Sequence, residues 1–399
     1  MNFTPIAPTD LKGMLNPELI HKADEVILKS AMLEGSHSKQ ILRAVKDLLY
    51  SVNSYYSNRI ESEGTHIIDI EKAIKKEYSS DTKERNLQLL SLAYIEVQKE
   101  CELYLKDNPN KQPYDKSFIK KIHKSFYEKE GMQAFLNVSI SEDKVIMVPG
   151  QTRERNVKVG KHEAPDYSEL ESLLNSFELL YKKSISSSNA ENFILALSSH
   201  HRITWIHPFL DGNGRSSRLL LDSIFSSLNM QGYGLWNISR GLARDIKGYK
   251  EALSHADIIQ QGSLDGKGPL SAKALYHFVE YMLDIALDQI EYMSECLKLD
   301  MMSTRMEKYI LRCNDGMFEN EDPLPKYTDK LFNYLLLKGE CKRGEVAKVM
   351  GIKDRTASRA ISELLKRDFI ESDSRLGSLR LKIKVSMSSY LFPSLVPEQ

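Results

Sequence analysis

The sequence predicts a mainly α-helical protein: a helical bundle with a small β-hairpin, followed by a C-terminal winged helix-turn-helix domain. Three observations support this fold class. Apolar residues recur at helical spacing along most of the chain, one short stretch alternates as strands do, and the last segment combines two short helices with alternating apolar residues. With 399 residues, 41% apolar and 28% charged, the chain is typical of a globular protein of about two to four domains.

The first predicted helix covers about residues 41–57, because its apolar residues lie three and four positions apart. The same pattern predicts helices around residues 89–97 and 119–126. The stripe of the first helix consists of Ile41, Val45, Leu48, Val52 and Tyr55.

A β-hairpin is predicted next. Residues 144–148 form an apolar run, Pro149-Gly150 is a turn signal, and residues 156–159 alternate in polarity. Residues 160–165 are expected to form a loop after the second strand.

Helical spacing resumes at residue 170, and a helix is predicted over 190–205, ending before Pro208, which disfavours α geometry at the preceding residue. Another helix begins after the glycine-containing stretch 212–214, and a long one covers about 272–299. Residues 314–329, rich in Asp, Glu, Asn and Pro, are predicted to link two domains.

The last segment has a different pattern. Two short helices, 345–351 and 354–367, flank a turn, and alternating apolar residues from Leu379 to Val385 indicate strands. Residues 341–384 contain twelve Lys and Arg against six Asp and Glu. DNA docking and protein docking both stay open for such a domain. Its basic residues are expected on the recognition helix (Arg355 and Arg359) and on the wing (Lys382 and Lys384).

Residues 207–218 carry the most specific signal, HPFLDGNGRSSR. Gly212 and Gly214 flank Asn213 at a predicted helix N-terminus, where bare N–H groups and the helix dipole attract anions. Arg215 and Arg218 lie three positions apart on the first turns of that helix, as suits a polyphosphate. The same stretch contains an acid suited to Mg²⁺, Asp211, and a general base, His207.

This stretch resembles the signature of the Fic family, H-x-F-x-D-G-N-G-R-x-x-R, at every defined position. Most Fic proteins transfer AMP from ATP to a hydroxyl of a target protein, so the resemblance implies a protein adenylyltransferase. His207 would deprotonate a Ser, Thr or Tyr hydroxyl, Phe209 would anchor the loop in the core, and Asp211 would bind Mg²⁺. The kinase-like relative Doc has Lys where this chain has Gly214, which favours adenylyl over phosphoryl transfer.

The resemblance also implies a set of ATP-binding residues. Gly212, Asn213 and Gly214 would hold the α- and β-phosphates, Arg215 the outer phosphates and Arg218 the γ-phosphate. The strand at residues 156–160 resembles the family's flap, which lines the site and pairs with the target backbone. Tyr249 matches a tyrosine near the adenine, and Asp257 stands where Asn is usual. The remaining ATP-binding residues are Ser216, Ser217, Val159, Gly160, Lys161 and His162.

Residues 57–61, SNRIE, resemble the inhibitory motif [S/T]-x-x-x-E-[G/N] of the family. Ser57 and Glu61 would then be inhibitory residues, with Glu61 forming a bidentate pair with Arg218 and displacing ATP from its productive pose. Ser62 replaces the expected Gly or Asn, and Glu63 is a less favoured substitute for Glu61.

The predicted division is an N-terminal helical region with the inhibitory motif (1–110), a Fic core (111–265), a helical extension (266–313) and the winged helix (325–390). ATP is the expected substrate and Mg²⁺ the cofactor. The expected partner is a hydroxyl-bearing target protein or the chain itself, and a homodimer or DNA binding stays open. The alternatives are a nucleotide-sensing transcriptional regulator and transfer of another group, such as UMP or phosphocholine.

The formal net charge is zero, which argues against a coat for nucleic acid or an anionic membrane. No secretory signal and no long apolar segment is visible, and the four cysteines form no C-x-x-C pair. A cytoplasmic location with reduced thiols is therefore expected.

Overall fold

The computed structural model describes residues 17–35, 37–140, 143–160, 162–183, 189–318 and 322–396. Helices dominate, and this confirms the mainly α fold class. Through residue 183 the elements are α1 (Pro17–Gly35), α2 (Lys39–Ile60), α3 (Ile67–Ile74), α4 (Thr82–Asp107), α5 (Lys116–Tyr127), β1 (Asn137–Ile140), β2 (Asp143–Ile146), β3 (Lys158–Val159), β4 (His162–Glu163) and α6 (Leu170–Lys183).

The second half of the chain continues the helical pattern. From residue 189 the elements are α7 (Asn189–Ile206), α8 (Asn213–Ser227), α9 (Ile238–Arg244), α10 (Ile246–His255), α11 (Ala272–Cys296), α12 (Leu299–Asn314), α13 (Thr328–Lys338), β5 (Glu340–Cys341), α14 (Val346–Met350), α15 (Asp354–Lys366), β6 (Ile370–Glu371), β7 (Leu379–Leu381) and α16 (Val385–Leu391).

The chain divides into two compact units. The first comprises the described residues of 1–30, 53–233 and 237–289, and the second those of 31–52, 234–236 and 290–399. The division into four segments stays a prediction, and its boundaries at 110 and 265 both lie inside the first unit. The expected linker 314–329 lies inside the second unit, and its residues 319–321 fall outside the described residues.

Helix α8 is the centre of the first unit. It packs against α4, α5 and α7, and nearly all its residues are buried. Helix α7 is buried over almost its whole length. A helix enclosed on all sides accepts polar side chains only where they find partners, so the charged residues of α8 must be paired within the protein.

The predicted hairpin between 144–148 and 156–159 is wrong. Strand β2 pairs with β1, and β3 pairs with β4, so two separate hairpins form, and the expected loop 160–165 contains a strand. The reason lies in the residues between β2 and β3. Arg153 is buried and its backbone N–H donates to the carbonyl of Pro208 at 2.9 Å, which draws this segment toward the loop after α7 instead of into a ladder.

The long helix predicted over about 272–299 is α11, which ends three residues earlier, at Cys296. Helix α12 begins at Leu299 after Lys298, whose ψ of 124° is extended. One residue with extended ψ interrupts the hydrogen-bond ladder, although the apolar spacing continues across it.

In the second unit, β5, β7 and β6 form a three-stranded antiparallel sheet beside α13, α14 and α15. Arg355 and Arg359 are exposed on α15. The placement of Lys382 and Lys384 on a wing is wrong, because both follow β7. Lys382 pairs with Asp368, and Lys384 is buried over the ring of Phe369. The winged-helix assignment and DNA binding stay predictions.

The four cysteines are buried and unbridged. Among the helices of the described residues, none combines the length and the apolar character needed to cross a membrane.

Candidate active site

The loop between α7 and α8 bears the signature residues. His207 ends α7 in a left-handed conformation, with φ 50°, which is uncommon for a residue other than glycine. Gly212 has φ 74°, and a Cβ atom there would overlap the hydroxyl of Tyr127, so this position requires glycine. The side chain of Asn213 accepts from the N–H of Phe209 at 2.9 Å and donates to its carbonyl at 2.8 Å. These contacts close the loop around a buried phenylalanine, as expected for Phe209.

Arg153 holds the strained end of this loop. Its Nε donates to the carbonyl of His207 at 2.8 Å, and its Nη1 donates to the carbonyl of Arg155 at 3.0 Å. A left-handed conformation costs free energy and persists where its surroundings fix it. Arg153 supplies such a constraint at the backbone of His207.

The surroundings of His207 favour its neutral form. Burial lowers the pKa of His207 to about 4, and the positive charges of His162 and Arg153 act in the same direction. The rings of His207 and His162 lie 6.1 Å apart. At neutral pH the imidazole of His207 therefore has a free lone pair, which a general base requires.

A second histidine, His123 on α5, contacts the loop that bears the signature residues. It is fully buried on α5, its Nδ1 accepts from the N–H of Gly150 at 2.8 Å, and its Nε2 lies 3.1 Å from the carbonyl of Asp211. The carbonyl can only accept, so Nε2 carries the proton. The ring stacks on Phe209 with 3.9 Å between centroids, and burial lowers the pKa of His123 to about 4. His123 thus joins α5 to the loop in a single tautomer.

Arg215 is buried at the start of α8 and is surrounded by oxygen atoms. It forms an ion pair with Glu63, its Nη2 donates to the hydroxyl of Tyr127 at 3.0 Å, and Nη2 lies 3.7 Å from Asp211. Its guanidinium also lies over the ring of Phe126 at 5.6 Å. Glu63 therefore contacts the first arginine of the signature, which is a role distinct from that of a substitute for Glu61.

Arg218 lies one turn further along α8 and is 1% exposed. Its Nε donates to the hydroxyl of Ser57 at 2.8 Å, and its Nη2 donates to the Ser57 carbonyl at 2.9 Å and to Oε1 of Glu61 at 2.6 Å. The expected pairing of Glu61 with Arg218 is therefore present. It runs through one carboxylate oxygen, so the predicted bidentate form is wrong, and the Nε/Nη2 edge of the guanidinium is shared with Ser57.

Burial opposes ionisation of Glu61, but the charges of Arg218 and Arg215 and the hydrogen bond from Arg218 outweigh it and lower its pKa. Glu61 also lies against Gly214, where a Cβ atom would overlap its carboxylate. Glycine at position 214 is therefore what admits this carboxylate to the head of α8.

Glu61 follows the last residue of α2, and Ser62 then turns the chain with φ 62°. The N–H groups of Glu61 and Glu63 both donate to the carbonyl of Asn58, at 3.1 and 3.0 Å. This is the geometry of a helix C-terminus that favours glycine or asparagine at the left-handed position. Serine adopts it here, so the departure from the family motif leaves the turn formed.

Hairpin β3–β4 brings Val159, Gly160 and His162 to the site, and Lys161 lies outside the described residues. Val159 is 53% exposed. Tyr249 on α10 is buried, and its hydroxyl lies 2.8 Å from Nε2 of His200. Burial raises the pKa of Tyr249 to about 12.

These elements enclose a cleft of about 840 Å³, within the range of ligand sites in proteins. The predicted residues that line it are Glu61, Val159, Gly160, His162, His207, Gly214, Arg218, Tyr249 and Asp257. Other predicted ATP-binding, Mg²⁺-binding or inhibitory residues do not line the cleft. Among the described residues these are Ser57, Asp211, Gly212, Asn213, Arg215, Ser216 and Ser217.

Three of the residues outside the wall have structural roles instead of an exposed binding surface. Asn213 holds Phe209, and the hydroxyl of Ser217 donates to the carbonyl of Gly214 at 2.9 Å. Ser216 is buried, and its N–H donates to the carbonyl of Gly212 at 2.9 Å.

Several residues that shape the site were not among those predicted: His123, Tyr127, Arg153, His201 and Trp205. For His123 and Tyr127 a signal existed, because both continue the apolar face of α5. For Arg153 there was none, since its contact with the loop is to the backbone carbonyl of His207, which is distant in sequence.

Comparison with known proteins agrees with this geometry. Residues 113–225 match the Fic/DOC family model. A stretch of 76 residues is 40% identical to the protein adenylyltransferase Fic of Drosophila erecta, and covers 19% of this chain and 15% of that protein. The chain thus matches only about a seventh of the length of such relatives.

Two solved structures share the fold. A Fic family protein from Desulfovibrio desulfuricans G20 gives a TM-score of 0.52 at 14% identity, covering 96% of this chain and 99% of that one. A Fic domain containing signaling protein from Bacteroides thetaiotaomicron VPI-5482 gives 0.50 at 17% identity, covering 68% and 95%.

Proposed function

We propose, from the premise that residues 113–225 form a Fic/DOC-family domain, that this chain transfers AMP from ATP to a hydroxyl group of a protein side chain. One observation carries the proposal. A neutral histidine, His207, lines a nucleotide-sized cleft together with the buried guanidinium of Arg218 at the start of α8.

The chemistry follows from these groups. His207 takes the proton of the attacking hydroxyl, whose oxygen forms a bond to the α-phosphorus of ATP. The bond between that phosphorus and the bridging oxygen breaks, and pyrophosphate leaves. The N–H groups at the start of α8 and the guanidinium groups of Arg215 and Arg218 stabilise the charge on the phosphates. A general base contributes about 10²–10⁴-fold to such a step.

Asp211 is the residue that would hold Mg²⁺. Its carboxylate is 48% exposed and lies 3.7 Å from Arg215, so it is accessible next to a phosphate-binding arginine. Mg²⁺ commonly uses one or two carboxylates together with substrate phosphates and waters, and the residues present fit this donor set. When bound, the ion would neutralise phosphate charge.

We further propose that Glu61 inhibits the transfer. It occupies Arg218 and lies against Gly214, where the outer phosphates of a productive ATP would otherwise bind. Because Glu61 belongs to the same chain as Arg218, its carboxylate competes with a phosphate group at a high effective concentration.

Hairpin β3–β4 would receive the target. Strand β3 is exposed, and its Val159 projects a half-exposed apolar side chain at the cleft. An exposed edge strand can pair with an extended target segment, whose hydroxyl would then lie near His207.

The proposal is tested by incubating Glu61→Gly with Mg²⁺ and ATP labelled at the α-phosphate, alone and with cell lysate. We expect labelled protein at a level well above wild type, and mass spectrometry should find AMP on a hydroxyl side chain. Glu77→Gly, a helix-end glutamate of α3 remote from the cleft, is the matched control and should behave as wild type.

Parallel reactions with labelled GTP, CTP, UTP and CDP-choline separate adenylyl transfer from transfer of another group. Absence of label from ATP in Glu61→Gly, with wild-type folding, would refute the proposed activity. If label were transferred from another donor but not from ATP, the proposed active site would stand and the proposed substrate would be wrong.

A further inference from the structure

A cluster of buried polar groups connects the hairpin to the wall of the cleft. Asp257, just after α10, contacts two histidines at once. Its Oδ2 lies 2.9 Å from Nδ1 of His162 on β4, and its Oδ1 lies 3.0 Å from Nε2 of His201 on α7. Three parts of the first unit that are distant in sequence thus meet at one carboxylate.

The partners of His162 determine its protonation. Nδ1 faces the Asp257 carboxylate, and Nε2 lies 3.0 Å from the carbonyl of Trp205. Both partners can only accept, so His162 contacts each of them through a nitrogen that donates. His162 and Asp257 therefore form a charge-assisted contact.

The partners of His201 include a donor as well as an acceptor. Its Nδ1 lies 3.1 Å from Nη1 of Arg202, a permanent donor, so Nδ1 accepts. Its Nε2 therefore carries the proton and donates to Asp257. Burial lowers the pKa of His201, in agreement with a neutral ring. Arg202 is fully buried and fixes this tautomer.

Asp257 is ionised as a result. Burial opposes its charge, but the hydrogen bonds from His162 and His201 outweigh it and lower the pKa of Asp257 to about 2. Further titratable groups near His162 in the described part of the chain are His207, with its ring 6.1 Å away, and Glu163 on the same strand, which pairs with Lys158 of β3 at 2.7 Å.

We propose that the hydrogen bond between His162 and Asp257 forms a latch that fixes hairpin β3–β4 to the wall of the cleft, and that Asp257 is a positioning residue for this hairpin. An asparagine at this position offers one acceptor oxygen and an amide donor, so it cannot accept from both histidines through two oxygens as the carboxylate does. The side chains of the contact are 17% and 23% exposed, so solvent screens it less than a surface pair.

The consequence for catalysis rests on the proposed function. With the hairpin fixed, the acceptor hydroxyl of a target paired to β3 is held near His207. A positive charge on His162 also helps to keep His207 unprotonated, since it lowers the pKa of that base.

The test measures hydrogen exchange of the amides of β3 and β4 in the full chain at pH 7, without nucleotide. We expect Asp257→Asn and His162→Gln to accelerate this exchange about tenfold or more, and the double variant to be no faster than the faster single one. Glu163→Gln is the matched control on the same strand, because it removes the outward Lys158 pair, and it should leave exchange unchanged.

Nitrogen NMR of the histidine rings gives a signature that loss of packing alone would not produce. We expect a proton on Nδ1 of His162 that is hydrogen-bonded to Asp257, with its signal absent in His162→Gln and shifted in Asp257→Asn. If Asp257→Asn fails to fold because Arg202 loses its nearby negative charge, His162→Gln still decides, since it leaves Asp257 and His201 in place.

Unchanged exchange in His162→Gln, or an equal change in Glu163→Gln, would overturn the latch. In the Glu61→Gly background, His162→Gln should raise KM for the protein acceptor more than KM for ATP. If exchange changes as expected but no variant transfers AMP, the latch stands and the proposed function falls.

Discussion

Glu61 and Asp257 line the same cleft, and both are held ionised by their partners, yet the two contacts differ in what they occupy. Glu61 comes from the end of α2 and contacts Arg218, a group suited to bind phosphate. Asp257 contacts two histidines, His162 on the hairpin and His201 on α7, and no arginine of the signature. The contact of Glu61 occupies a binding position in the cleft, whereas the contact of Asp257 holds the hairpin against the cleft wall.

The difference teaches that a carboxylate's role depends on its partner more than on its own burial. The side chain of Glu61 is 33% exposed and that of Asp257 23%. Loss of Glu61 should therefore raise transfer, whereas loss of Asp257 should lower it. Opposite changes in the rate of AMP transfer for Glu61 and Asp257 variants are the clearest check of this comparison.

The largest effect is expected from His207→Ala in the Glu61→Gly background. Removing the general base should reduce AMP transfer by about 10²–10⁴-fold, while the phosphate-binding groups stay in place. Initial rates with labelled ATP and calorimetric titration of Mg²⁺ and ATP measure the two effects separately. Transfer undiminished in this variant would discard His207 as the base, and lost ATP binding would show that the freed Arg218 is not sufficient for affinity.

Acid should destabilise the protein in two steps that separate the histidines from the carboxylates. Burial lowers the pKa of His123 and His207 to about 4, below the value of about 6.5 for an unfolded chain. The unfolded state then binds more protons between these values, so stability is lost as pH falls from about 6.5 to 4, by at most ~1.4 kcal/mol per pH unit for each group.

The lowered pKa of Asp257 acts in a lower window. Its stabilising contribution is present above the unfolded value of about 4 and is lost as pH falls toward about 2. Denaturant unfolding at pH 7.5, 6.0 and 5.0 measures the first step. A free energy of unfolding that is constant over this range would contradict the neutral, buried state of these histidines.

Glu63 extends the comparison to a third carboxylate. Because it is ion-paired with Arg215, we expect Glu61→Gly to free only one of the two signature arginines. Adding Glu63→Gln should increase the affinity for ATP about tenfold more, since a charged hydrogen-bond partner is removed from the second arginine. Calorimetry on the single and double variants measures this.

The matched control for Glu63 is Glu84→Gln, which removes an exposed carboxylate near the start of α4. It should leave ATP affinity at the value of the parent variant. If Glu61→Gly binds ATP with the same affinity with and without Glu63→Gln, Glu63 does not compete with ATP. Glu63 would then support the structure, as Asp257 does.

The smallest effect concerns the turn that carries Glu61. Ser62→Gly should stabilise the protein by ~1 kcal/mol or less, because glycine adopts the left-handed conformation without steric cost. A better-formed turn should also reduce residual transfer by the wild-type chain. Thermal unfolding and labelled ATP measure these changes.

Lys76→Gly is the control for Ser62→Gly, since Lys76 has φ 63° after α3 and lies outside the cleft. It should give a comparable stabilisation without any change in transfer. If both variants reduce transfer equally, the turn at Ser62 has no specific role in placing Glu61.

Local patterns allowed much of the fold to be predicted. The helix predicted over 41–57 is α2, and the helix predicted over 190–205 is α7, which ends before Pro208. Apolar spacing and a proline are properties of neighbouring residues, so they act before any tertiary contact forms. The pairing of Glu61 with Arg218 was also predictable, because the family motif contains both residues.

The hairpins were not predictable in the same way. A turn signal at Pro149-Gly150 is local, but strand pairing depends on what else competes for the segment, and here Arg153 binds the carbonyl of His207. The contact of Glu63 with Arg215 and that of His162 with Asp257 depend equally on chain segments that meet only after folding.

By itself, the sequence determined the mainly helical class and the order of base, acid, glycines and arginines from His207 to Arg218, because helical period and motif spacing are encoded along the chain. Tertiary structure alone decided which carboxylate meets which cation, and which histidine is neutral. Those properties arise from burial and from donors and acceptors far apart in sequence, and spacing along the chain does not contain them.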